Sequence, residues 1–296
     1  MNRLSIAVMA LLLASFISHA QGTEALTFSR TNRDPVSCAM AGSDLAATGR
    51  AAFAWQRGSA SLPFFEGTLD AAVSYEYFSP GGLASNNLAA GAGGSLGRLG
   101  FSGGFAADIY PEISDGDSAY SPGNLTFALG AGYMLTEKLS AGVTLMYLRQ
   151  SLLSDVAYSG FNASIDAFYR ISPSLDASLG IAGLGSGITD SSGNRYRQPA
   201  SVRTGACWRI SSLTANLSAD WFLGGSWSVA AGAEYTLLEM ISLRAGYRLS
   251  HKYAPVPSHL AVGAGFRMRG IGLDITYIPV GEAMANTVMA GMAYRF

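Results

Sequence analysis

The sequence predicts an all-β fold: a fourteen-stranded antiparallel transmembrane β-barrel preceded by an amino-terminal plug segment. Three observations carry that reading. Apolar residues recur at every second position through most of the chain after Glu66, tight and long connections alternate between these stretches, and the last stretch stops on an aromatic residue. A two-residue period marks strands with one face in an apolar medium and the other in water. A terminal strand needs a partner on each edge. Hydrocarbon offers none for a free N–H or C=O, so closing the sheet satisfies both edges at once. Taken alone, the last stretch also fits the edge strand of a soluble sandwich.

Composition narrows the class before any element is placed. Only 13% of residues are charged and 49% are hydrophobic. No apolar run after the amino terminus is long enough to span a bilayer as a helix, which excludes a helical membrane protein. The 36 glycines and 14 tyrosines suit many short strands with aromatic ends. A net charge of -1 supplies no general basic field, so nucleic acid is not an expected partner.

Residues 1–20 read as a signal peptide: Arg3 is the positive start, Ile6 to Ile17 the apolar core, and Ser18-His19-Ala20 the small-x-small cleavage site. Export into an oxidising space would allow Cys38 and Cys207 to pair, the alternative being two separately buried thiols. Residues 21–66 form the expected plug. Small residues crowd there, as in Cys38-Ala39-Met40-Ala41-Gly42-Ser43, while Phe53, Trp55, Leu62, Phe64 and Phe65 are too apolar for a solvated leader.

Residues 67–296 form the barrel. Its expected strands are 67–78, 88–96, 98–108, 125–135, 138–149, 158–171, 174–184, 200–210, 213–222, 226–238, 240–250, 258–269, 271–279 and 286–296. A tilted strand of about 9–11 residues crosses a bilayer, and single-chain bacterial barrels use even strand numbers. Tight links at Thr136-Glu137, Ser172-Pro173, Ser211-Ser212 and Gly270 alternate with longer ones at 79–87, 109–124, 150–157, 185–199, 251–257 and 280–285. Short periplasmic turns and long outer loops sort this way; a soluble sandwich has no reason to. Only Leu223–Gly225 is short where a long link is due. Tyr77, Tyr133, Tyr147, Tyr169, Trp208, Trp221, Trp227, Tyr235, Tyr277 and Tyr294 lie on apolar faces near expected strand ends, where interfacial girdles sit in contact with outer-membrane lipid.

The polar faces point to a lumen carrying Asp166, Arg170, Arg203, Asp220, Glu234, Arg244, Arg248, Arg267 and Asp274, together with Asp70, Glu76, Asp108, Asp176, Arg209, Arg269 and Arg295. Similar numbers of each sign favour mutual pairing around the plug over a single-sign selectivity ring. After removal of the signal only His251 and His259 remain, with no nucleophile fixed beside either, so catalysis is not expected. Neither a metal set nor a cofactor motif is present, and Gly91-Ala92-Gly93-Gly94 lacks the lysine and following helix of a phosphate loop.

The run from Ile241-Ser242-Leu243-Arg244-Ala245-Gly246-Tyr247-Arg248 through Gly272 to Glu282, then Asn286-Thr287 and the closing Tyr294-Arg295-Phe296, resembles the PorV/PorQ family of outer-membrane proteins of Bacteroidota. Asp34-Pro35, Ala39-Met40-Ala41-Gly42 and Ala52-Phe53-Ala54-Trp55 resemble that family's segment ahead of the first strand, although Gln56-Arg57-Gly58 and Val288-Met289 depart from its usual pattern. The resemblance implies a FadL-like barrel and a role in type IX secretion, with secretion-system subunits or cargo proteins held at the mouth by loops such as 109–124 and 185–199. The alternative it leaves open is a FadL-like channel for small hydrophobic solutes.

Overall fold

The structure, a computed structural model, describes residues 24–78, 84–115, 118–153, 156–189, 193, 195–281 and 284–296. The expected signal peptide, residues 1–20, lies outside the described residues.

Strands β1 (Leu69–Phe78), β2 (Ser85–Leu96) and β3 (Leu99–Ile109) are followed by a small hairpin of β4 (Ile113–Asp115) and β5 (Ser118–Tyr120). The wall continues with β6 (Gly123–Met134), β7 (Leu139–Leu153), β8 (Val156–Ser172) and β9 (Leu175–Gly185). A second short ladder, β10 (Ile188–Thr189) and β11 (Arg195–Tyr196), precedes β12 (Ser201–Ile210), β13 (Leu213–Phe222), β14 (Trp227–Leu237) and β15 (Ile241–Ser250). The wall ends with β16 (His259–Met268), β17 (Ile271–Gly281) and β18 (Thr287–Arg295). Apart from the two short ladders, the strands form one closed barrel in which each pairs antiparallel with its sequence neighbour, and β18 returns to β1. The seam runs in unbroken register from Asp70 opposite Arg295 to Tyr77 opposite Val288.

The fourteen wall strands match the expected ones, with corrected ends. The long link expected at 150–157 is mostly strand, because β7 and β8 continue as an antiparallel ladder to Leu153 and Val156. Loops 109–124 and 185–199 contain the two short ladders. Arg269 does not face the lumen: it occupies the β16–β17 turn in the left-handed region, at φ 51°, and is exposed.

The outer face is apolar from rim to rim. Leu129, Phe161, Ile165, Leu179, Leu217 and Ile275 are among many large side chains more than half exposed there, an arrangement that only an apolar solvent accommodates. Tyr133, Tyr169, Trp208, Tyr235 and Tyr294 ring the short-turn end, and Tyr77, Trp221, Trp227 and Tyr277 the long-loop end. Tyr147 departs from this pattern. It lies well inside the lengthened β7 and packs on Phe161 with ring centroids 5.1 Å apart.

Inside the wall lies the amino-terminal segment. Glu24 bridges to Arg197 in the long connection before β12, and the chain then runs down the lumen to enter β1 at the short-turn end. A helical turn at Pro35–Ala39, capped by the Asp34 carboxylate accepting from Val36 N–H at 3.1 Å, packs on β15 to β18. The 3-10 turn Ser59–Phe64 packs on β2, β3, β6, β7 and β8. Glycines on the inner face make that approach close: a Cβ on Gly132 would overlap the Ser59 carbonyl, and one on Gly142 the Ala60 nitrogen. In Gly91 and Gly93 the glycine run of β2 faces the carbonyls of Ala52 and Ala51, the strand role expected for it.

Candidate functional site: the charged lumen

Inward positions on the strands carry carboxylates, and the segment brings guanidiniums to them. Arg33 spans two strands, donating to Glu76 and Asp108 at 2.7 Å each. Asn87 and Asn124 donate to the same two carboxylates at 3.3 and 3.0 Å. Deeper in, the fully buried Asp34 accepts from Arg57 at 3.1 Å and faces Arg50 at 3.7 Å, while Asp44 accepts from Arg57 at 3.3 Å. Burial pushes Asp34 up from the ordinary carboxylate range against the pull of those two arginines. Arg50 also donates to Asp274 at 2.9 Å, and Arg244 joins Asp274 at 2.7 Å while reaching Glu234 with its Nε.

The sequence-derived residues therefore fall into groups. Asp274, Arg244 and Glu234 meet in one chain of ion pairs. Asp220 collects three cations: Arg30 at 3.0 Å, Arg203 at 3.0 Å and Arg248 at 3.5 Å. Burial, and then the neighbouring Arg203, bring the Arg30 guanidinium down to about 10 despite that carboxylate. Asp166 makes no ion pair among the described residues; it accepts the backbone N–H groups of Ser59 and Ala60 at 3.1 and 2.7 Å. Asp70 does the same for Ala51 and Ala52 at 3.0 and 3.1 Å. Arg170 and Arg209 flank Asp176 at 3.2 and 2.7 Å. Arg267 is exposed at the short-turn end and makes no ion pair among the described residues. Of the closing residues, Asn286 turns the chain at φ 63°, Thr287 donates to the Met284 carbonyl at 2.7 Å, and Tyr294 and Phe296 meet edge to face at 4.6 Å. Arg295 lies over the Phe65 ring at 4.9 Å and donates to the Gly49 carbonyl.

Cys38 and Cys207 are both free and buried, so the pairing considered from sequence gives way to its alternative. Cys38 donates to the Asn32 carbonyl at 3.3 Å, and burial, with Glu76 next, pushes its thiol well above the usual range. Cys207 has its own neighbour, Arg209 at 3.6 Å.

Sequence reasoning missed the segment's half of this network: Arg30, Arg33, Asp34, Asp44, Arg50 and Arg57. A signal for them existed. Charges placed singly in a stretch too apolar to be solvated need buried partners.

The lumen is not uniformly polar. Leu26, Phe53, Trp55, Ala106, Ala128, Met146, Leu148 and Ile188 form an apolar cluster on the inner faces of β3, β6 and β7 beneath the mouth. Beside it, Ser29, Leu45, Trp55, Met146, Asp166 and Arg203 are among the residues lining a small cavity of about 40 Å³.

Neither a protein-family model nor a curated protein matches the sequence. Solved structures do share the architecture. The toluene transporter TbuX of Ralstonia pickettii aligns over 90% of this chain and 99% of its own, with a TM-score of 0.67 and 14% identity. The toluene transporter TodX of P. putida aligns over 88% and 98%, with a TM-score of 0.66 and 12% identity. A FadL homologue of Pseudomonas aeruginosa aligns over 90% and 96%, with a TM-score of 0.59 and 10% identity. At such identities the likeness is one of fold: this chain has the FadL-like architecture, a closed fourteen-stranded antiparallel barrel.

Proposed function

We propose that this protein is a non-enzymatic outer-membrane channel for small apolar solutes, with residues 24–66 acting as its plug. The observation that carries the reading is an apolar cluster set inside a closed fourteen-stranded barrel, below the mouth and against the segment that fills the lumen. The fold shared with toluene transporters supports it. A hydrocarbon arriving at the mouth gains by leaving water for such a surface, at roughly 25 cal/mol per Å². The plug must then shift to open a path. The test is uptake of labelled toluene by cells that express the protein, with heat-modifiable gel migration verifying an inserted barrel. Uptake several-fold above an empty-vector control is expected; uptake equal to the control from a verified barrel would refute the channel.

A second reading, a type IX secretion component that binds cargo or secretion subunits, draws support from the ion pairs that fasten the segment to the wall and from the ladders within loops 109–124 and 185–199. A barrel whose plug is fastened and whose long connections carry short ladders suits a docking role better than a gated path does. In that case deletion leaves proteins bearing carboxyl-terminal sorting domains in the periplasm and hydrocarbon uptake unchanged.

A further inference from the structure

At the short-turn end, the periplasmic side of such a barrel, a second cavity of about 300 Å³ opens between the segment and the wall. Seven arginines line it against three acidic residues, Asp44, Glu66 and Glu234. Five of the arginines are held by the carboxylates described above, but Arg267 and Arg295 make no ion pair among the described residues. Glu66 makes none either, and it is exposed at the rim.

The lining also holds unused donors. The Nε–H groups of Arg50, Arg57 and Arg295 are buried without a hydrogen-bond partner among the described residues, and Arg50 is only 8% and Arg57 5% exposed. Those Nε–H groups have almost no accessible surface, so the attraction for a carboxylate or phosphate comes from the Arg267 and Arg295 charges, which no ion pair among the described residues offsets. These guanidiniums are also fixed in advance. Arg57 donates to the Arg50 carbonyl and to two carboxylates, and Arg295 is clamped between the Phe65 ring and the Gly49 carbonyl. A ligand would therefore spend little on ordering Arg295.

We propose that this cavity is an oxyanion-binding site that takes a phosphate or carboxylate group from the periplasmic side on Arg267 and Arg295. The site is independent of whether the lumen passes solutes. Free anions and the headgroups of anionic lipid share this chemistry.

The test titrates inorganic phosphate into the purified full-length protein in detergent by calorimetry. Saturable binding is expected, weakened at least tenfold by Arg267→Gln and by Arg295→Gln and strengthened by Glu66→Gln. Arg149→Gln, at the opposite end of the barrel, should leave it unchanged. Arg295 belongs to the seam strand, so heat-modifiable migration verifies closure, and Arg295→Lys should retain part of the binding. Repeating the titration in nanodiscs separates the two sources: a phosphatidylglycerol disc that lowers phosphate affinity relative to phosphatidylcholine identifies the headgroup as occupant, and equal affinities identify a free anion. No saturable binding in detergent, or binding indifferent to both glutamine substitutions in closed barrels, overturns the site.

Discussion

Arg33→Ala tests how the segment is held. The substitution removes one guanidinium and strands two carboxylates, Glu76 and Asp108, whose side chains are 3% and 4% exposed. Breaking a buried pair by deleting one partner costs about 3–5 kcal/mol. Asn87 and Asn124 remain as donors and keep the loss from doubling. The wall does not depend on Arg33, since its strands close through their own ladder, so the loss falls on docking of the segment. At about 1.4 kcal/mol per factor of ten, the released population should rise by roughly two to three and a half orders of magnitude. Limited proteolysis of folded barrels in detergent reports that population when opening is fast relative to cleavage. Cleavage within 24–66 should accelerate accordingly while the barrel stays heat-modifiable. Adding Glu76→Gln and Asp108→Asn to Arg33→Ala removes the stranded charges and should recover most of the protection. A cleavage rate within a few-fold of wild type, or a triple variant no better protected than the single one, would show that these ion pairs do not hold the segment.

Other outcomes follow from the same geometry. Gly132→Ala forces a methyl group against the Ser59 carbonyl and should cost about 1–3 kcal/mol of segment docking, whereas Gly49→Ala meets nothing within 4 Å and should be neutral in the same proteolysis assay. Leu129→Arg, at a position 71% exposed near the middle of β6, should cost about 2–4 kcal/mol in refolding titrations into lipid vesicles. Leu96→Arg, 74% exposed at the end of β2, should cost no more than about 1 kcal/mol in the same titrations. Both thiols should resist maleimide in the folded protein and react fully once it is denatured without reductant; one or no reactive thiol after denaturation would contradict the free pair.

What could be read from the sequence followed from periodicity. Each wall strand faces lipid on one side and a polar interior on the other, so Ile241, Leu243, Ala245 and Tyr247 alternate with Ser242, Arg244, Gly246 and Arg248 and betray β15 without further help. The rule lapses where one medium is missing. Around Gln150 and Ser151, near the end of the β7–β8 hairpin, polar and apolar residues stop alternating, and the pattern no longer separates strand from loop. The lumen was half legible for a related reason: Asp274 and Asp220 sit in periodic stretches that assign them inward, whereas Arg30, Arg50 and Arg57 belong to an irregular segment with no period to orient them. Glycines such as Gly132 and Gly142 could be counted, but what presses on them comes from a distant part of the chain.

The seam between β1 and β18 also sets an order of assembly. It joins residues more than two hundred positions apart, and the segment it encloses precedes both strands in the chain. Contacts of such long range form late, after the local hairpins. The segment is synthesised first but cannot be shut in until the last strand arrives, so the fourteen-stranded sheet must curl around it while one side is still open. Arg33, Asp34 and Arg57 would then act first as a template on which the inner faces of the strands collect their charges, and only afterwards as the contents of a finished cylinder.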